Sequence, residues 1–340
     1  MRALLAAVLI LLGARPAHAC SAFLREGPTG PVMGKSYDWD DERGLVLVNK
    51  RGMAKRALVL SPGQAPAAWR SRLASLTFNQ YGRELPNGGI NEAGLTVEVL
   101  ILPETAYEKP DGRPAVTELG LVQYLLDQAS TTAEAIELAQ KVRVAPAHAQ
   151  IHYFLCDAAA SCGALELLGR KLVVSSGDAM SVRAVTNSPY AESVRALAHP
   201  KHVSRSLARF ARLAGQLRDA PESDPVAAAF AVLDSVRFQG STQWQIVYDL
   251  GARRVHFRSL HHHTVKTVAL GAFPPACGDP VMMLDIASDQ AGDVTSAFVP
   301  YREETNRALV EATLRSRRAA LPAGTAQRVA AHPGAMVCSP

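Results

Sequence analysis

Ala17-His18-Ala19-Cys20-Ser21-Ala22-Phe23 is the stretch of this 340-residue chain on which its reading turns. Before it come one early cation (Arg2), an apolar run from Ala3 to Leu12 and a turn-former, Pro16. Small residues at Ala17 and Ala19 stand two positions apart, so residues 1–19 read as a secretory signal peptide removed after Ala19. The apolar run is shorter than the roughly 18–20 residues a membrane helix needs. Cleavage there makes Cys20 the first residue of the mature chain, where a thiol and a free α-amine share one residue. With reference pKa values of about 8.5 for the thiol and about 7.7–8.0 for the amine, the amine can take the thiol proton and later return it to a leaving amine. Nucleophile and base then come from a single residue. Such a site needs no separate histidine, and the sequence offers no Cys/His pair at a recognisable spacing.

The rest of the chain bounds the possibilities. Lys and Arg total 36 against 31 Asp and Glu, a net +5, and removing Arg2 and Arg15 with the signal lowers that excess by two. No Lys/Arg-dense stripe or nucleic-acid-binding signature is present, which argues against a nucleic-acid partner. No later stretch is long and apolar enough to span a bilayer. The expectation is a secreted or periplasmic protein without an integral membrane segment in its mature form. Its length suits one domain over residues 20–340, with about 322–340 as a loose, loop-like tail. Export permits disulfides. Of the five cysteines, Cys20 is the natural odd one out. Cys156 and Cys162 flank the turn-like Asp157-Ala158-Ala159-Ala160-Ser161, and Cys277 and Cys338 could form a second bridge. Four free, buried cysteines are the alternative, because sequence alone does not fix connectivity.

Strand patterns occupy 21–23, 32–36, 45–49, 76–79 and 95–102, with Gly88-Gly89 read as a tight connection. Helical spacing follows over 117–127 and 132–141, the second capped by Thr131 or Thr132. Segments 151–156 and 164–168 read as a hairpin, followed by a strand at 183–186. Helical patterns return at 191–197, 204–217 and 224–234. A late hairpin spans 243–249 and 254–259, and 303–320 is a charged helix. Two strand blocks separated by a helical block suggest stacked sheets covered by helices.

Several segments together are specific. Gly34-Lys35-Ser36-Tyr37-Asp38-Trp39, Val48-Asn49-Lys50-Arg51-Gly52, Leu76-Thr77-Phe78-Asn79-Gln80-Tyr81-Gly82-Arg83-Glu84-Leu85-Pro86 and Gly88-Gly89-Ile90-Asn91-Glu92-Ala93-Gly94-Leu95 resemble the choloylglycine hydrolase family. So do Val185-Thr186-Asn187-Ser188-Pro189-Tyr190, Ala208-Arg209-Phe210 and Thr242-Gln243-Trp244-Gln245-Ile246-Val247-Tyr248-Asp249. That family holds bile-salt hydrolases and penicillin V acylases and belongs to the N-terminal-nucleophile hydrolases. The resemblance covers nearly all of the expected mature chain and thins after about Gly271. It implies an α+β fold, the four-layer α/β/β/α sandwich, and an amidase that needs no cofactor.

The resemblance also assigns roles. Cys20 matches the nucleophile, and Asp38 the acid that holds the α-amine. Asn187 matches the side-chain oxyanion donor, and the backbone N–H of Ile101 the second donor. Arg209 matches a cation near the nucleophile that favours thiolate. The residue after Gly34 is usually Arg in the family, and here it is Lys35, which keeps the charge but loses the planar fork. Trp39, Phe78 and Tyr81 are the aromatic residues expected at an acyl pocket. Specificity is expected in the loops around 39–45, 63–72 and 102–113. Asn91 and Gly94 are read as shaping a turn.

The expected function is hydrolysis of a small linear amide through an acyl-thioester on Cys20. Penicillin V, N-acyl amino acids, N-acyl homoserine lactones and bile-salt conjugates are all open, with bile salts disfavoured by Lys35. A different class of reading is a lipid-anchored binding protein with Cys20 lipidated, although Ala17 and His18 fit a lipobox poorly. An amide-forming acyltransferase is the other alternative. His261-His262-His263 is read as no metal site, since neighbouring strand side chains point to opposite faces. The expected partner is a small amide, and a homo-oligomer is open.

Overall fold

Ser21–Gly27 and Gly30–Asp38 form a hairpin turned at Pro28-Thr29, where Gly30 adopts a φ of 124° that favours glycine. Ser21 pairs with Ser36, so extending the register sets Cys20 opposite Tyr37 and Ala19 opposite Asp38. Side chains of directly opposed residues share a face. Cys20, Ala22, Lys35 and Tyr37 therefore point to one side of the sheet, and Ser21, Ser36 and Asp38 to the other. The hairpin lies inside a seven-stranded sheet. Ala184–Val185 flanks it on one side, and Thr242–Asp249, Arg254–Ser259, Lys266–Ala269 and Gly292–Asp293 follow on the other. The computed structural model describes residues 19–147, 149–199, 204–218, 223–316 and 322–339. The expected signal segment lies outside them apart from Ala19.

A nine-stranded sheet lies against this one. Its order is Lys171–Ser176, Cys162–Leu168, Ile151–Cys156, Thr96–Ile101, Gly88–Asn91, Ser75–Asn79, Leu45–Asn49, Met282–Asp285 and Val299–Pro300. Gly88-Gly89, expected as a connection, is part of a strand. A side chain at Gly88 would collide with the Glu98 carboxyl on the neighbouring strand, its Cβ only 2.2 Å from those atoms. The glycine is there to admit a buried acid.

Seven α-helices are seen among the described residues: α1 (Glu118–Gln128), α2 (Thr132–Lys141), α3 (Tyr190–Ala198), α4 (Arg205–Gln216), α5 (Pro225–Val236), α6 (Glu303–Ser316) and α7 (Thr325–Ala331). Their starts follow capping chemistry. Thr117, Thr131, Ser204 and Asp224 each accept a backbone N–H of the first turn, and Pro225 opens α5. Helices α4 and α5 contact the seven-stranded sheet, and α1 and α2 the nine-stranded one. Between the sheets, Phe78 packs against Phe257 and Tyr248 at ring distances of 5.4 and 6.2 Å. The layers thus run helix, sheet, sheet, helix.

Both cysteine pairs are bridged, Cys156 to Cys162 across a hairpin and Cys277 to Cys338. Cys20 is the free cysteine among the described residues. Asn91 does shape a turn. Its Oδ1 accepts from Ala93 and Leu95, and its Nδ2 donates to the carbonyls of Leu126 and Ala129 at the end of α1.

The tail departs from expectation. Instead of loose chain, 322–339 holds α7, a short 3-10 turn and the strand Val337–Cys338, which pairs with Met53–Arg56. Its Pro- and Gly-rich sequence hid this, because the segment is ordered by the disulfide and by packing on α6 rather than by its own propensity. Helix α6 ends at Ser316, and 317–320 lies outside the described residues.

Candidate active site

Cys20 lies immediately before its strand and is 2% exposed. Its Sγ approaches the Asp38 carbonyl at 3.9 Å. Two cations reach it from opposite faces of the sheet, as the alternation dictates. Lys35 sits on the inner face with Cys20. Its Nζ donates to the Val99 carbonyl and lies 3.7 Å from Glu98 Oε2. Arg209 arrives from α4 on the outer face, where its Nε donates to Ser21 Oγ at 3.3 Å and its Nη2 to the Cys20 carbonyl at 3.5 Å. Phe210 anchors that helix by packing its ring on Tyr190, which holds Arg209 at the sheet edge.

The cations do not win the electrostatic contest. Burial pushes the Cys20 thiol pKa up, and the opposing pull of Lys35 and the smaller one of Arg209 do not cancel it. Arg209 does pull toward thiolate, but its pull is smaller than the effect of burial. With Ala19 still attached, the thiol stays protonated at neutral pH, so a base must remove its proton.

Asp38 is fully buried. Its Oδ1 accepts from Thr242 Oγ1, while its Oδ2 has no hydrogen-bond partner. Burial raises the Asp38 pKa to about 6 against the Thr242 hydrogen bond and the fields of Arg209 and Lys35. An unpartnered buried oxygen normally costs about 1–3 kcal/mol. Thr242 is placed by a β-bulge between Thr242 and Trp244, which re-aims the strand end toward Asp38.

The Asn187 amide is locked in one orientation. Arg209 has no acceptor, so the atom facing its Nη2 at 2.7 Å must be Oδ1. Nδ2 then donates to the Ile101 carbonyl at 2.8 Å, leaving its other hydrogen free. Parity sets the direction of the Ile101 N–H. The N–H of Leu102 bonds Gln150 on one side and that of Val99 bonds Asn87 on the other. Alternation along the strand therefore directs the Ile101 N–H away from Ile151–Cys156, toward the side where Gly88–Asn91 has ended.

An apolar cavity reaches Cys20, walled among others by Trp39, Tyr81, Leu85, Leu119 and Val329. Tyr37 also lines it, stacked on Trp244 at 4.5 Å and bonded through its OH to Gln80 and Asn87. Phe78 does not reach the cavity. Its strand turns it between the sheets, where it is 1% exposed. Trp39 aside, the loops expected to set specificity are not among the described lining. Leu58, Leu60, 117–119 and the C-terminal helices take that place.

Sequence reasoning missed Glu98, which accepts from Tyr248 OH beside Lys35 and whose pKa burial raises to about 7. A charge between Val97 and Val99 in an otherwise apolar strand was the available signal. Thr242 lay inside a quoted motif without a role. His261 meets Glu42 and His262 lies 3.7 Å from Asp289, so these two rings face separate carboxylates.

The sequence profile of the acyl-coenzyme A:6-aminopenicillanic acid acyl-transferase family matches residues 26–249. That span includes Lys35, Asp38, Ile101, Asn187 and Arg209 and starts after Cys20. A penicillin V acylase from Pectobacterium atrosepticum is 26% identical over 204 residues, covering 54% of this chain and 53% of that protein. The match thus spans about half the length of that relative. Among solved structures, the penicillin V acylase of Agrobacterium tumefaciens superposes with a TM-score of 0.73 at 23% identity, covering 83% of this chain and 98% of that one. A variant of the conjugated bile acid hydrolase of Clostridium perfringens gives 0.66 at 15%, over 80% and 98%. These two likenesses carry the fold. By sequence profile and architecture together, the chain belongs to the family of penicillin V acylases, choloylglycine hydrolases and acyl-coenzyme A:6-aminopenicillanic acid acyl-transferases.

Proposed function

We propose that this chain is an exported amidase that, once cleaved after Ala19, hydrolyses a linear amide R–CO–NH–R′ through a thioester on Cys20. The observation that carries the reading is the Asp38 Oδ2 left buried without a partner beside the Ala19–Cys20 junction. A new α-ammonium or α-amine at Cys20 would satisfy it.

In the proposed sequence, the α-amine takes the thiol proton as Sγ attacks the substrate carbonyl. The oxyanion is held by Asn187 Nδ2 and the Ile101 N–H, which cost nothing to orient because the scaffold has fixed them already. The C–N bond breaks, the proton passes from the α-ammonium to the departing amine, and the acyl group stays on Cys20. Water then attacks the thioester with the α-amine again as base, releasing the carboxylic acid and restoring the thiol. Arg209 orients Asn187, and Lys35 and Arg209 offset part of the cost of burying a sulfur anion. The apolar cavity takes the acyl half. Its aromatic residues suit aryloxyacetyl groups such as the acyl part of penicillin V, and its leucines suit aliphatic chains.

Transfer of the acyl group to an amine instead of water is the second reading, favoured by the acyl-transferase profile. The test is a panel of acyl amides, with and without an added amine acceptor, on the processed protein and on Cys20→Ala. Acid release lost in Cys20→Ala supports hydrolysis. A new amide formed in preference to acid supports transfer. Equal activity in both proteins refutes the site.

A further inference from the structure

The part of the chain matched by the family profile ends at residue 249, yet the acyl cavity has a wall from beyond it. Leu314 of α6 and Thr325 and Val329 of α7 line the same cavity as Cys20. Thr325 and Val329 are four residues apart and so share one helix face. That face is apolar apart from one hydroxyl, which itself donates to the Pro322 carbonyl at 2.7 Å.

This wall is fastened to the body at several independent points. Val310 and Val329 pack in one cluster with Tyr81 and Leu85. Gly82 takes a φ of 93°, and a Cβ there would lie 2.6 Å from Val310. Asn306 accepts the Arg83 N–H and donates to the Ala330 carbonyl, tying the 81–85 loop to both helices. Arg328 donates to the Val59 carbonyl, and Ser339 N–H to that of Gly52. The Cys277–Cys338 bridge closes the segment. Beneath it, Lys55 joins Glu84 at 2.8 Å and Asp127 at 3.0 Å, all buried. A segment held this firmly is a fixed wall, and a fixed apolar wall measures what fits against it.

Resting on the amidase reading above, we infer that the C-terminal cap of α6 and α7 determines which acyl chains the enzyme accepts, with Val329 and Leu314 setting the length that fits. One methylene in an apolar pocket is worth about 10–200-fold in discrimination, so a change of several carbons in this wall must be visible. The test uses the processed enzyme and a series of amides of one amine, from acetyl to dodecanoyl. Val329→Trp should move the best acyl length to shorter chains and lower the ratio of long-chain to acetyl kcat/KM at least tenfold. Val329→Ala and Leu314→Ala should move the optimum to longer chains. These also carry the test if the Trp variant fails to fold by circular dichroism. An unchanged optimum, with every chain length scaled by one factor, overturns the inference and leaves the amidase reading intact. A wild-type enzyme that hydrolyses none of the series overturns the inference, and one that also spares aryloxyacetyl amides of the same amine overturns the amidase reading.

Discussion

Asp38 stores a measurable conflict before processing. In the chain with Ala19 attached, its carboxyl is buried with one oxygen unpartnered, and its pKa is raised from 3.8 to about 6. Between those values the folded state binds more protons than the unfolded one, so stability falls as pH rises. Two units correspond to about 3 kcal/mol at about 1.36 kcal/mol each. Some of this is already incurred at pH 4, which leaves about 2–3 kcal/mol between pH 4 and pH 7.5. Asp38→Asn cannot ionise. In the unprocessed chain, its stability relative to wild type should therefore improve by that amount on going from pH 4 to pH 7.5. Any constant cost of the unpaired amide cancels in this difference. Urea unfolding at the two pH values, under oxidising conditions, reads it directly. After cleavage the sign should reverse, because an α-ammonium at Cys20 then pairs with the carboxylate and Asn cannot replace that pair. A pH-independent effect in the unprocessed chain, or the same effect before and after cleavage, would refute the argument.

Two further expectations come from the same geometry. Asn187→Ala removes one oxyanion donor and should lower kcat by about 10²–10³-fold, worth about 2.7–4 kcal/mol. Its melting temperature should stay near wild type, and wild-type turnover would remove Asn187 from the site. Lys35→Met deletes the largest charge opposing burial of the thiol, so the pH at which Cys20 is alkylated by iodoacetamide should rise by about one unit or more. Glu98, already raised to about 7 beside Lys35, can protonate and leave no bare ion behind. An alkylation profile unmoved by the substitution would show that Lys35 does not act on the nucleophile.

Local pattern carried the reading where one face of an element meets one environment. The hairpin 151–156 with its cysteines, the strand 45–49 and the capped helices were legible because burial follows the 2.0 and 3.6 periodicities. Cys20, Asp38, Asn187 and Arg209 were legible through motif resemblance, and the structure brings them together from one hairpin, the segment after Ala184–Val185 and α4. Other residues were not legible, each for a physical reason. Phe78 looked like a pocket residue, but strand parity turns it between the sheets. Glu98 was overlooked because a buried acid is intelligible only once Gly88, Lys35 and Tyr248 are seen around it. The stretch 322–339 read as loose chain because its order comes from contacts nearly 300 residues apart, such as Ser339 with Gly52. No local propensity encodes those contacts.

The most direct measurement is the intact mass of the exported protein, taken alone and after acid quench during turnover of a slowly hydrolysed N-acyl amide. The expected result is a chain that begins at an unmodified Cys20 and, on quenching, carries one acyl group on the Cys20 sulfur that hydroxylamine removes. A diacylglyceryl adduct, a chain that still holds Ala19 while turning over, or an acyl group on any other residue would contradict it.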